Sequence, residues 1–183
     1  CYATVGTIWR RHMDFYGVLD DHLLLGIWAY MTALLCWAIE PRRDLIRAGV
    51  GLAGGLFIEG WGTVSEIWHY FMAERPPLWI IPAWPVAAIA IDRMSKGAEV
   101  LIEAGRIGPR AQRVLWWLAL PPFVVAMTWF VWPTIDVWLT RLAVIGMVGI
   151  CVWPGRVRQD LALFIAGAAL GVFLEYWGTS RRC

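Results

Sequence analysis

Hydrophobic positions in this chain gather into long runs, and the polar positions between them form short knots of proline, arginine and acid. Runs of that length predict membrane-crossing helices, which need about 20 apolar residues. The first runs from about Asp21 to Ile39 and stops at Glu40-Pro41-Arg42-Arg43. The second begins near Asp44, a candidate N-cap, and continues to about Met72. The third, Leu78 to Ile91, carries Pro82 and Pro85 and predicts a kink or local unwinding. Residues 95–113, SKGAEVLIEAGRIGPRAQR, read as an interfacial helix followed by a loop. The fourth run covers Val114 to Trp132 with Pro121-Pro122 near its middle, the fifth about Val137 to Trp153, and the sixth Asp160 to Thr179. A β-barrel would instead alternate apolar and polar residues in stretches of roughly ten, and no such stretch occurs. The fold predicted is all-α: a polytopic transmembrane bundle of about six helices, one membrane domain over residues 1–183.

A second pattern lies on top of the first. Sliding the chain by 116 residues superposes Trp37 on Trp153, Asp44 on Asp160, Leu45 on Leu161, Gly51 on Gly167 and Gly55 on Gly171. The same shift brings Phe57 to Phe173, Glu59 to Glu175, Trp61 to Trp177, Gly62 to Gly178 and Thr63 to Thr179. This gap-free register predicts an internal tandem repeat, copy one over about 20–135 and copy two over about 136–183. Four helix steps separate the copies, so they share one orientation across the bilayer, a parallel repeat. Copy one continues past Thr63 into Trp68 and Tyr70, whereas Cys183 falls at the place of Ile67; the repeat predicts further residues beyond it.

Composition agrees with the membrane reading and sharpens it. The chain is 60% hydrophobic and 16% charged, more apolar and less charged than soluble domains. A net charge of +2 is too small to argue for a nucleic-acid partner. Most of the 14 tryptophans suit an interfacial belt or helix packing. Cys1, Cys36, Cys151 and Cys183 have no zinc or CxxC spacing, and Cys36 and Cys151 read as small buried residues. Ten basic residues fall on the side of segments 40–47, 92–113 and 154–159, against six on the other. That asymmetry predicts those segments to be cytoplasmic loops of a protein in the cytoplasmic (inner) membrane.

Against this background Glu59 stands out. On a helical wheel Gly55, Glu59, Gly62, Thr63, Glu66, His69 and Tyr70 share one face, with Phe57, Trp61 and Trp68 opposite. Four roles are open to the acids. Glu59 and Glu175 can accept hydrogen bonds from Trp or Thr and fix packing. A protonated Glu59 or Glu175, with Thr63 and Tyr70, can give its proton to an apolar substrate in a dry site, while aromatic faces steady a developing cation. Glu66 and His69, an ExxH pair, can hold a metal, with Asp21, His22 and His12 as further ligands. A proton or ion pathway is the fourth. Asp20-Asp21-His22 otherwise reads as a helix start, Arg10-Arg11-His12 as a headgroup-contacting flank and Arg42-Arg43 as a topology signal.

The sequence Glu59-x-x-Gly62-Thr63, then Trp68-x-Tyr70, then Pro77-Leu78-Trp79-Ile80 and Trp84 resembles the membrane-embedded carotenoid-biosynthesis hydratase family over about residues 57–84. The resemblance implies water addition across an isoprenoid double bond, with Glu59 as the acid. The tandem copy at Glu175 departs from that family's pattern. Together the readings predict a protein that binds a lipid or isoprenoid (carotenoid-like) ligand, with acid–base chemistry by Glu59. Trp61, Trp68, Trp79, Trp84 and Trp177 are candidates to line the ligand. The rival is a non-catalytic subunit that packs into a larger membrane complex and holds pigment or lipid. Expected partners are membrane lipids, an apolar ligand and other membrane proteins, with no nucleic acid; the cofactor stays open.

Overall fold

A computed structural model describes residues 19–70, 75, 78 and 80–180, with backbone alone for 19–24, 27, 28 and 175–180. The described residues are helical, with no strand among them. Two units divide the chain at residue 39. Within the first, α1 spans Leu19–Cys36, and Cys36 is exposed rather than buried as its apolar setting predicts. The second holds α2 (Pro41–Val64), α3 (Ala83–Ala104), α4 (Pro109–Val131), a 3-10 turn (Trp132–Thr134), α5 (Trp138–Val152) and α6 (Val157–Ser180). Two stretches, Pro109–Thr134 and Val157–Leu174, are long and apolar enough to cross a membrane.

Several boundaries differ from the sequence expectation, each for a local reason. Helix α2 starts at Pro41 because proline suits the first helical position. Asp44 sits inside the first turn and accepts the Glu40 backbone N–H at 3.0 Å, which ties the N-cap residue to the helix it starts. Helix α2 stops at Val64, well short of Met72. Ile67 N–H returns to Gly62 C=O at 2.9 Å and Glu66 N–H to Thr63 C=O at 3.4 Å, with Glu66 left-handed at φ 57°. That is a Schellman ending without its usual glycine. A second one closes α3: Ile107 N–H meets Ile102 C=O at 3.2 Å and Arg106 takes φ 51°. Pro82 and Pro85 produce no kink; they occupy the N-cap and first turn of α3, where a missing N–H costs nothing. Residues 95–104 continue α3 instead of forming a separate interfacial helix, and 41–47, 92–104 and 109–113 are helix ends, not loops.

Helices α2 and α3 run antiparallel, fixed at two depths. At the α3 N-terminus Trp84 packs on Gly55, where an added Cβ would lie 2.5 Å from the Trp84 Cβ. One turn below, a Cβ on Gly51 would stand 2.5 Å from that of Ala88. At the other end Arg93 is wholly buried and donates to both carboxylate oxygens of Asp44 at 2.8 and 2.7 Å and to Asp92 at 2.9 Å. Arg47 joins Asp92 at 2.8 Å and Lys96 reaches Glu40 at 3.3 Å. Arginines and a lysine counted as topology signals therefore also cement a helix pair. Glycine lets the backbones approach, and the closeness in turn lets a short aspartate meet the guanidinium.

The remaining helices share one apolar cluster. Ile102 of α3, Trp116, Leu120 and Val124 of α4, Cys151 of α5 and Leu161 and Ala162 of α6 are buried together. Trp116 donates its indole N–H to the Cys151 carbonyl at 3.0 Å, and Phe123 meets Phe164 edge to face, centroids 5.3 Å apart. Arg158 of α6 pairs with Glu99 and Glu103 of α3. Helices α2 and α6 are both 24 residues long. At the start of α6 Asp160 accepts the Arg156 backbone N–H at 2.8 Å, as Asp44 does at the start of α2.

Candidate functional site

The Schellman turn at Glu66 decides the geometry of the site. By reversing the chain after α2, it folds residues 67–70 back along the helix just completed. Trp68 then lies on Gly62, where any side chain would collide with the indole ring, and its N–H points to Glu59 Oε2 at 3.4 Å. Two residues on, the Tyr70 hydroxyl donates to the same oxygen at 2.7 Å. Glu59 is 3% exposed, so these donors replace the water an ionised carboxylate would otherwise hold. The Thr63 hydroxyl caps the Glu59 carbonyl at 2.6 Å and is itself buried.

Around this pair stands an aromatic wall. Trp61 meets Trp68 edge to face, centroids 6.3 Å apart and planes at 77°. The Trp61 N–H donates to the buried Thr140 hydroxyl of α5 at 2.9 Å, and Thr140 lies 3.1 Å from the Thr134 hydroxyl of the 3-10 turn. Trp61 turns to a neighbouring helix through Thr140, one of the two outlooks, lipid or a neighbour, open to the aromatic face of the wheel. Trp68 joins Glu59 instead of facing away from it, because it is no longer on α2. Trp84 belongs to the same end of the molecule through its contact with Gly55. The Trp84 indole N–H and the Ser65 hydroxyl are buried without a hydrogen-bond partner.

The other predicted residues divide. Glu66 and His69 are not a helical ExxH pair, since both follow the end of α2; His69 is exposed and Glu66 pairs with Arg75 at 3.3 Å. Among the described residues no three His, Cys, Asp or Glu side chains gather as a metal set. Asp21 and His22 lie on α1, which is described by backbone alone there, and His12 and Trp79 fall outside the described residues. Glu175 and Trp177 lie on α6 at backbone level only. Thr140 and Thr134 are tied to the site through Trp61, and like Ser65 they carry no sequence signal beyond being polar in apolar runs.

Charge is concentrated elsewhere, at the Asp44–Arg93 end. There the Arg43 hydrogen bond, with help from Lys96, holds the Glu40 carboxyl below its ordinary range. A shallow concavity lined by Ala168, Ala169, Val172 and Phe173 of α6 is apolar and includes none of the Glu59 residues. Comparison of the chain with protein-family models, curated proteins and solved structures finds no match.

Proposed function

We propose that this chain is a duplicated, polytopic membrane protein that binds an apolar ligand of isoprenoid or lipid class, with Glu59 and Tyr70 exchanging a proton with its polar or unsaturated end. The membrane reading is supported by what covers the apolar helices: only 22% of each spanning window is buried, unlike the core helix of a soluble protein. Trp129 at 82% exposure, with Val125 and Leu45, makes sense against hydrocarbon. The duplication is supported by α2 and α6, whose starts and ends stand 116 residues apart, each with an aspartate arm in its first turn. In the proposed orientation the Arg93 end faces the cytoplasm, and Glu59 lies about 22 Å above Asp44 at 1.5 Å per residue.

The observation that carries the functional reading is a buried carboxylate bonded to a phenol inside an indole cage. An acid in hydrocarbon costs about 2.5–3.5 kcal/mol even on lenient scales. Hydrogen bonds to a charged acceptor return about 1.5–3 kcal/mol each, so Tyr70 and Trp68 make Glu59 tolerable without a metal or an arginine. A knot serving packing alone would satisfy its neighbours too. Here Ser65 and Trp84 keep an unpaired hydroxyl and N–H on either side of Glu59 along α2, donors suited to a ligand hydroxyl or carbonyl. The same arrangement supports the hydration chemistry implied by the carotenoid-hydratase resemblance: Glu59 in its protonated form gives its proton to a double bond, water adds to the resulting cation, and the proton that water sheds returns to the Glu59 carboxylate.

The test is mass spectrometry of the lipids and pigments that co-purify with wild type, Glu59→Gln and Glu175→Gln. The proposal expects a ligand depleted or chemically altered in Glu59→Gln; identical lipid and product profiles in all three proteins would end it. A second reading, a non-catalytic lipid- or pigment-holding subunit, is favoured by the open small-residue surface of α6.

A further inference from the structure

Helix α5 is short for a membrane-crossing element, and its two ends are marked alike. The inference drawn from this rests on the membrane reading and not on the chemistry at Glu59. Helix α5 has 15 residues, against the roughly 20 that a bilayer of ordinary thickness needs. Its limits are sharp, with the exposed Asp136 just before it and Pro154, Gly155 and Arg156 just after. An exposed tryptophan stands at each limit, Trp138 and Trp153, about 22 Å apart along the helix at 1.5 Å per residue.

Helix α4 and the turn after it repeat that spacing. Trp117 and Trp132 are both exposed and are again 15 residues apart. The two pairs are level with each other. At one end Trp116, beside Trp117, donates to the carbonyl of Cys151 at 3.0 Å, two residues from Trp153. At the other end the Thr134 and Thr140 hydroxyls lie 3.1 Å apart, each two residues beyond its own tryptophan, Trp132 or Trp138. Between these levels the exposed side chains include Leu118, Val125, Ile145 and Ile150. Charge keeps outside them. Arg110 and Arg113 precede Trp117. Arg141, one turn into α5, bends back to the Ile135 carbonyl at 2.8 Å and to Asp136 at 3.5 Å, so its guanidinium rests at the level of the turn. Helix α2 fits the same scale. Its Trp61 is level with Thr140, and Asp44 then falls about 25 Å below, past the Trp153 level at about 20 Å.

We infer that the α4–α5 face is matched to a thin bilayer, about 22 Å between its two indole levels, where a typical hydrocarbon core measures about 30 Å. Indoles settle where acyl chains meet headgroups, so the two levels set the thickness at which the apolar band is covered and no more. Tilting shortens the reach of α5 along the membrane normal and cannot make up the difference; thinning of the surrounding lipid can. Burial against a protein partner gives no reason for the indoles of two helices to fall at two matched levels.

Lipid competition measures the preference. The full-length chain is reconstituted in vesicles of brominated dioleoylphosphatidylcholine, which quenches tryptophan, mixed in turn with dimyristoleoyl-, dioleoyl- or dierucoylphosphatidylcholine. Relief of quenching gives the relative affinity of the protein surface for each chain length. The expected order is dimyristoleoyl, dioleoyl, dierucoyl, with the first favoured over the last about five-fold or more. In a chain carrying both Trp117→Leu and Trp153→Leu the inner level is gone, and that ratio falls to about half or less. Both side chains are exposed, so the variant keeps the thermal transition of the wild type in detergent, and a lost preference is not a lost fold. Equal affinities, a preference for the dierucoyl lipid, or a ratio unmoved by the double substitution overturns the proposal and leaves the membrane reading standing. Absence of quenching in every brominated vesicle ends both. The lipid profile of Glu59→Gln reads the Glu59 proposal separately.

Discussion

Replacing Gly55 by alanine, with Gly171→Ala as its internal control, tests the helix-pair geometry most directly. Both glycines sit at the same register of α2 and α6, so helix propensity treats them alike and favours alanine by about 0.5–1 kcal/mol. Their surroundings differ. The new Cβ at Gly55 arrives 2.5 Å from the Trp84 Cβ, against about 3.5–4.0 Å for carbon atoms in contact. The clash is with the root of the indole and not its tip, so Trp84 cannot swing clear by a change of rotamer; α3 itself must retreat by about an ångström. Overpacking of this kind costs about 1–3 kcal/mol, and at Gly171 the term vanishes. For a chain of this size 1 kcal/mol moves the midpoint by about 2–4 °C, so the two variants separate by roughly 2–12 °C with Gly55→Ala the lower. Thermal unfolding in one detergent, followed by circular dichroism, measures the difference. Equal midpoints for the two alanine variants would refute the close α2–α3 approach.

Other outcomes follow from the same structure. Tyr70→Phe removes the 2.7 Å bond to Glu59 and should destabilise by about 1–3 kcal/mol, more than Trp68→Phe, whose bond is 3.4 Å; the reverse order in denaturation midpoints would contradict the site geometry. Thr140→Val keeps the shape but strips the acceptor from Trp61, at about 1 kcal/mol, and should shift tryptophan emission; an unchanged spectrum and midpoint would argue that Trp61 is not held there. In oriented vesicles, single cysteines at Gly108 and at Asp136, which is almost fully exposed, should react with impermeant thiol reagents from opposite sides. Labelling of both from one side would remove α4 from the list of spanning helices.

Hydrophobic periodicity located the six α-helices among the described residues, since run length and bounding prolines carry that signal. It misplaced their ends where the stop is made by backbone geometry. Glu66 adopts a left-handed conformation normally marked by glycine, so the sequence offered no reason to end α2 at Val64. Glu59, Thr63 and Tyr70 were legible as polar intruders in an apolar run, and the structure gathers all three. Their assignment to a common helix face was incorrect for Tyr70, which arrives by chain reversal. Thr140 was invisible because its importance depends on a tertiary contact with Trp61, and Arg93 looked like a topology signal because nothing local distinguishes a buried guanidinium from an interfacial one.

The reversal after α2 also imposes an order of events on synthesis. Both donors to Glu59 lie downstream of it in the chain, so when α2 first leaves the ribosome its carboxylate has no partner of its own. The contacts around Glu59 cannot close until nine and eleven further residues have emerged. What looks in the finished protein like a static clasp is, for the nascent chain, a late step that gives Glu59 its partners.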